Sequence, residues 1–467
     1  MPYTHYDRLT ALDASFLELE TRTVHMHVGA VGLFDPGRLA NEHGGIDFER
    51  VVELVEFDLR RAPRFRQRLD RVPLTGHPIW VDDERFNLLY HLRHTSLPFP
   101  GDERRLKRLV GRIMSEGLDP ARPMWELWFV EGLEEGRFAV ISKVHHALID
   151  GISGVDLLSA FMGPSPDYEP GATDHRWIPR PAPGALGLLT DDVARRAATP
   201  FRALRGIARA LGSPGRSLDA VTHASGGFVK ALSSSLKPAS DTLFNVEIGP
   251  HRRFDWTRFD LGVVREVREK LGGTVNDVAL TCVAGAVRTH LMAHGADVSE
   301  IDFRVLIPVS TRRPAERGKL GNRVSLLVAH LPVHEPDLRR RARRVIAETR
   351  RVKESGEIEG TQAFEELSDW TTSSLLSGLS RLAAARRSYN MVVTNVPGPQ
   401  VPVYLAGARM LASYPLVPLF ENQALGVALF SYDGALHWGF NADWDSVPDL
   451  HEFAIAIDRE FEALRKL

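Results

Sequence analysis

One cysteine, Cys282, stands in 467 residues, so an internal disulfide framework is excluded and the usage fits a reducing compartment. It lies in the apolar run Val278–Ala286, where a small thiol packs as core filler. No stretch reaches the roughly 18 uninterrupted apolar residues that a spanning helix needs. The opening Met1-Pro2-Tyr3-Thr4-His5 lacks the charged-then-apolar order of a secretory signal. The expectation is therefore a cytoplasmic protein that meets lipid, if at all, from the surface. Neither sign of charge is in surplus, with 58 Lys plus Arg against 60 Asp plus Glu, and a nucleic-acid partner has no global support. A Gly-x-Ser-x-Gly nucleophile elbow and a short-period repeat are both missing, which argues against a serine-triad hydrolase and a solenoid.

What is present is an ordinary globular composition, 43% apolar and 25% charged, in a chain long enough for two or three domains. Asp47–Arg61 reads as an amphipathic helix through Phe48, Val51, Val52, Val55 and Leu59, while Trp128–Val130 and Phe138–Val144 read as strands. Six prolines then fall between Pro164 and Pro183, marking a connector. A basic helix is expected at Phe201–Leu211. The α/β vocabulary resumes with a strand at Phe254–Phe259, helices at Val263–Leu271 and Val275–His294, and strands at Phe303–Val309, Val324–Leu331 and Met391–Thr394. Asp433-Gly434 supplies the positive φ angles of a hairpin between Leu425–Ser431 and Ala435–Phe440. The economical reading is α/β: an N-terminal domain over 1–163, a Pro/Gly-rich and helical linker over 164–240, and a C-terminal domain over 241–467.

The most informative stretch runs from Val140 to Gly151. A strand delivers His145 and His146 at its end, and Asp150 and Gly151 follow at a turn. Successive strand side chains point to opposite faces, so one histidine of the pair faces a given cavity. A neutral imidazole, with a pKa of about 6.5, suits proton removal from an alcohol near neutrality. Two other readings stay open from the residues alone: a buried, hydrogen-bonded pair, and a metal site, which no nearby Cys, Glu or third His supports. Further on, Thr274 and Asp277 have the spacing of an N-cap with a carboxylate at the third helical position, which puts Asn276 in the first turn. Unpaired N–H groups there can hold a developing oxyanion, although the same residues also make a plain cap.

His145-His146-x3-Asp150-Gly151 resembles the signature of the acyl-CoA-dependent acyltransferase superfamily that includes chloramphenicol acetyltransferase and peptide-synthetase condensation domains. The succession Leu12-Asp13-Ala14-Ser15-Phe16-Leu17-x-x-Glu20, Met26-His27-Val28-Gly29, Pro123-x-Trp125, Asn276-Asp277-Val278, Pro308-Val309-Ser310-x-Arg312, Gly321-Asn322 and Thr394-Asn395-Val396-Pro397-Gly398-Pro399 is similar to the wax ester synthase/diacylglycerol acyltransferase family. Met124 departs from the Leu often found between that Pro and Trp. The resemblance implies two chloramphenicol-acetyltransferase-like domains, each a mixed sheet with flanking helices, joined by a long crossover linker. It also implies transfer of a fatty acyl group from acyl-CoA to a long-chain alcohol or diacylglycerol, with no cofactor, since acyl-CoA is itself a substrate. His146 would be the general base, and His145, Asp150 and Asn276 would complete the catalytic set. Gly151, Asp277, Pro123 and Trp125 would line the substrate site. Arg61, in Arg61-x4-Arg66-x-Arg68, is a candidate ion-pair partner of Asp150. The alternatives are an acyltransferase for a specialised hydroxylated lipid or polyketide acceptor, and a non-catalytic lipid-binding protein.

Two basic segments are candidates for contact with a membrane or lipid-inclusion surface: Phe201–Leu211 with Arg202, Arg205 and Arg209, which could equally pack between domains, and the run from Arg339 to Lys353, which could equally meet coenzyme A phosphates or be a solvated face. His25 and His27 share one face of an expected strand, as a metal pair would, but the family pattern accounts for them structurally.

Overall fold

A computed structural model describes residues 5–148, 160–167, 177–194, 238–310, 324–354 and 388–467. The strands are β1 (Asp7–Arg8), β2 (His27–Asp35), β3 (Gln67–Arg71), β4 (Pro78–Asp82), β5 (Leu92–Ser96), β6 (Trp125–Glu131), β7 (Phe138–His145), β8 (Arg252–Asp260), β9 (Phe303–Ser310), β10 (Val324–Leu331), β11 (Met391–Pro397), β12 (Tyr404–Leu405), β13 (Ala408–Leu416), β14 (Leu425–Tyr432) and β15 (Ala435–Asp443). The main helices are α1 (Ala11–Leu19), α2 (Phe48–Asp58), α3 (Glu103–Ser115), α4 (Leu261–Leu271), α5 (Val275–Ala293), α6 (Leu338–Glu354) and α7 (Leu450–Arg465).

Two six-stranded sheets carry the fold, ordered β12-β13-β2-β7-β6-β5 and β10-β9-β11-β14-β15-β8, with a small β1-β4-β3 sheet beside the first. Both large sheets are mixed: β5 runs parallel to β6, and β11 runs parallel to β9 and β14. The α/β architecture expected from the sequence is thus observed. The division at 163 and 241 runs along the chain rather than through space, because β13 pairs with β2 and completes the first sheet from the C-terminal side.

Alternation along β7 decides what each sheet face meets. Phe138, Val140 and Val144 join Val51, Leu54 and Val55 of α2 in one core, each such burial being worth about 1.5–3 kcal/mol. Ala139 and Ile141 face the other way, packing with Leu106, Val110 and Ile113 of α3 and with Phe254 and Trp256 of β8. Helix α3 therefore sits between the first sheet and the second. Gly111 makes that approach possible, since a Cβ there would lie 2.6 Å from the Arg252 carbonyl oxygen.

The second core centres on α5. Every residue from Asp277 to Val287 is buried, the pattern of an internal helix, and α7 packs alongside it. Cys282 is fully buried there and burial pushes its thiol well up, so it is a packing group, as expected. The hairpin turn also forms as read, with Asp433 at φ 42° and Gly434 at φ 76°.

The stretch 177–194 of the 164–240 connector docks on the small sheet. Leu188 packs with Val72, Ile79 and Val81, and Arg180 forks onto Asp82 through Nε at 2.9 Å and Nη2 at 2.8 Å. The basic segment Phe201–Leu211 lies outside the described residues. In α6, Arg340 and Arg344 pair with Glu335, Arg341 with Glu460, and Arg351 with Glu348, so much of the Arg339–Lys353 run is neutralised within the fold.

Candidate active site

The end of β7 is held from three directions. The His145 N–H donates to the Met124 carbonyl at 3.0 Å, and the His146 N–H donates to the Met26 carbonyl at 2.7 Å. The chain then tightens into a 3-10 turn over His146–Leu148, anchored by the buried Ala147 and Leu148. This turn lifts His146 out of the strand alternation. Its half-buried ring stacks on Phe16 of α1, centroids 3.9 Å apart and planes at 26°. Phe16 in turn packs against the core of the second sheet.

His145 is fully buried and points to the α3 side of the sheet with Lys143. The Ala147 N–H donates to His145 Nδ1 at 3.1 Å, which requires a lone pair there and puts the ring proton on Nε2. That nitrogen lies 3.3 Å from Glu20 Oε1, a close but poorly aligned contact between a ring N–H and a carboxylate. The same oxygen accepts from the Met26 N–H at 3.1 Å and stands 3.7 Å from His27 Nε2. Burial alone would raise the Glu20 carboxyl, but His145, the Met26 N–H and the nearby His25 outweigh it and hold the group below its ordinary range. Glu20 thus ties together the two segments that position His146: Met26, whose carbonyl holds the His146 N–H, and His145.

Lys143 is the other residue whose part was not expected. Its buried ammonium donates to the Ile113 and Glu116 carbonyls at 2.9 and 2.6 Å, capping the negative end of α3. Burial lowers it to about 8. His27, opposite His145 in the β2–β7 register, is buried and pushed well below its usual value, first by desolvation and then by Lys143. His25 stacks on His27 with centroids 5.2 Å apart. Their place is in this packed cluster, in line with the structural role expected for them.

Asn276 lies in the first turn of α5, where Thr274 and Asp277 form a reciprocal capping box. Its Oδ1 accepts from Asn395 Nδ2 at 2.6 Å, so the Asn276 amide keeps its NH2 end as donor. Asn395, on β11, belongs to the Thr394–Pro399 motif but was not singled out as a site residue. Val275, beside Asn276, packs on the same core as Phe16.

Several residues expected at the substrate site are engaged with neighbours inside the fold. Asp277 is buried, with Oδ2 taken by the Thr274 N–H at 2.7 Å and Oδ1 by the Thr349 hydroxyl at 2.6 Å. Trp125 is fully buried, its indole N–H donating to the Phe65 carbonyl at 2.8 Å and its ring stacked on His91. Pro123 is buried beside it. This motif acts on the site through the backbone, because Met124 receives the His145 N–H. Arg61 is mostly exposed and lies 3.6 Å from Asp58, while Arg66 is the buried arginine of that stretch. Asp150 and Gly151 lie outside the described residues, and so does Arg61's expected pairing with Asp150.

Two mixed sheets with a histidine turn at the end of a central strand define an acyltransferase-type architecture, and solved structures agree. A starter condensation domain of rhizomide synthetase covers 99% of this chain and 94% of its own at TM-score 0.58 and 11% identity, a likeness of fold alone. The wax ester synthase/diacylglycerol acyltransferase from Marinobacter aquaeolei VT8 matches at TM-score 0.70 and 26% identity, covering 99% of this chain and all of its own. Residues 9–279 match the wax ester synthase/diacylglycerol acyltransferase catalytic domain and residues 320–465 the WS/DGAT C-terminal domain. A Mycobacterium tuberculosis protein bearing the name diacylglycerol O-acyltransferase is 32% identical over 99% of this chain and 90% of its own. The chain belongs to the wax ester synthase/diacylglycerol acyltransferase family and is an acyltransferase.

Proposed function

We propose that this enzyme moves a fatty acyl group from acyl-CoA to the hydroxyl of diacylglycerol or a long-chain alcohol in one step, with His146 as general base. The observation that carries the reading is the placement of His146: a half-buried imidazole on a turn fixed by Met26, His145 and Ala147, stacked on Phe16 where the two cores meet. His146 takes the hydroxyl proton as the alcohol oxygen bonds to the thioester carbonyl carbon. The electron pair of the C=O bond moves to oxygen, and the Asn276 amide or a first-turn N–H of α5 steadies the oxyanion. Collapse restores the carbonyl, breaks the C–S bond, and the imidazolium returns the proton to the coenzyme A thiolate. Atoms balance without a covalent enzyme intermediate, so labelled acyl-CoA mixed with enzyme and no alcohol should leave no stable label.

Turnover of palmitoyl-CoA against a panel of acceptors tests the substrate reading. Transfer to diacylglycerol or hexadecanol supports it. Transfer only to specialised hydroxylated acceptors would move the enzyme to the alternative acyltransferase reading, and inactivity with every acceptor would favour a lipid carrier. Among the described residues no helix is long and apolar enough to cross a membrane. Substrates this apolar must be collected at a lipid boundary, and attachment is proposed through Arg202, Arg205 and Arg209. Binding to anionic vesicles should then fade with salt and with reversal of these residues to Glu.

A further inference from the structure

At the C-terminal end of α5, about 14 residues and so roughly 21 Å from Asn276, three side chains converge that acyl transfer does not use. His290 and His294 stand one helical turn apart on the same side of α5. Asp449 heads α7. His290 Nδ1 and His294 Nε2 lie 3.7 and 3.6 Å from Asp449 Oδ2, and one ligand atom of each residue falls within 4.8 Å of the other two. These distances are too long for good hydrogen bonds. Two ligand atoms bound tetrahedrally at zinc distances of about 2.0–2.1 Å would sit roughly 3.4 Å apart, a few tenths of an ångström closer than these pairs.

Further observations point to a cation. Asp449 occupies the N-cap of α7, where a carboxylate ordinarily accepts a backbone N–H, yet it makes no capping bond. Its Oδ1 is buried with no hydrogen-bond partner among the described residues. His294 Nδ1 is 2.9 Å from the His290 carbonyl, so its N–H is held there and the Nε2 lone pair faces Asp449. That is the outer hydrogen bond which orients metal-ligating histidines. The helix C-terminus adds partial negative charge.

We propose that His290, His294 and Asp449 form a three-ligand site for a divalent transition ion of the zinc type, with the fourth position open to water. The ion ties the end of α5 to the start of α7. Because His290 stacks on Phe244 at 5.2 Å, it also secures the chain where it enters the second domain from the linker.

The test uses the full chain, stripped with a chelator and titrated with Co2+ and then Zn2+. Visible Co2+ absorption of a tetrahedral site, displaced by Zn2+, and a rise in melting temperature with Zn2+ are expected. Because the chain has 18 histidines, the difference between wild type and variants is what is read. His294→Ala, at a side chain 39% exposed, and Asp449→Asn should each weaken binding at least tenfold and lose the thermal shift. Absence of the Co2+ bands in the wild type would reduce the cluster to an ion pair and overturn the proposal. Unchanged binding in both variants would overturn it as well.

Discussion

Replacing Glu20 by Gln keeps the shape of the side chain and removes its charge. The Met26 N–H can still find an amide oxygen, but the contact with the His145 Nε2–H loses its ionic acceptor, and the amide NH2 in that place would set donor against donor. A well-formed hydrogen bond to a charged group contributes about 1.5–3 kcal/mol, and the poor alignment of this contact together with the 30% exposure of Glu20 puts it at the bottom of that range. If about 1.5 kcal/mol serves to hold the turn that carries His146, kcat should fall roughly tenfold. The assay is steady-state acyl transfer with palmitoyl-CoA, read alongside the melting temperature. The expected pattern is a loss in kcat with the KM for acyl-CoA nearly unchanged. Because Glu20 works through His145, the double variant Glu20→Gln/His145→Ala should be no worse than His145→Ala alone. Fully additive losses, or a normal kcat in a merely less stable protein, would refute the positioning role.

His146→Ala should lower turnover by about 10²- to 10⁴-fold at an unchanged melting temperature, and His145→Ala should do less damage; a reversed order in the same assay would make His145 the base. Asn276→Ala and Asn395→Ala should each reduce kcat, and a double-mutant cycle should show coupling through their 2.6 Å hydrogen bond. At Asp82, burial works to raise the carboxyl, but Arg180 and Gln67 prevail and bring it from 3.8 to about 2. That difference stabilises the folded state by about 2 kcal/mol above the unfolded pKa, and the stabilisation is lost as pH falls from about 4 towards 2. Asp82→Asn should therefore melt lower at pH 7 and differ little from wild type near pH 2, as calorimetry would show.

Where a local pattern determined an element, the sequence displayed it. Val324–Leu331, the Asp433-Gly434 hairpin and the capping box before α5 follow from strand alternation, turn chemistry and cap spacing. The site divides along the same line. His146 and Asn276 were legible as a strand end and a helix start. The partners that fix them were not, because Glu20 lies 125 residues before His145 and Asn395 lies 119 residues after Asn276, and no local rule reports such a meeting. Trp125 and Asp277 stood in recognisable motifs, but that the Trp125 indole N–H is taken by the Phe65 carbonyl and the Asp277 carboxylate by Thr274 and Thr349 shows only in the packed structure. Lys143 was hidden for a related reason, since an ammonium inside a β-strand makes sense only once the end of α3 is placed above it.

The pairing of β13 with β2 has a consequence for how the protein is made. Val31 pairs with Tyr414, so the first sheet waits for a strand 383 residues further along the chain. At about 5–20 residues per second, a ribosome needs roughly 20–80 s to supply it. For that interval β2 presents an open edge, with Val31 and Phe34 already apolar and ready to pair with any other chain nearby. Folding of the N-terminal half is thereby coupled to completion of synthesis, and a nascent chain arrested before residue 408 should depend on chaperones and aggregate when released.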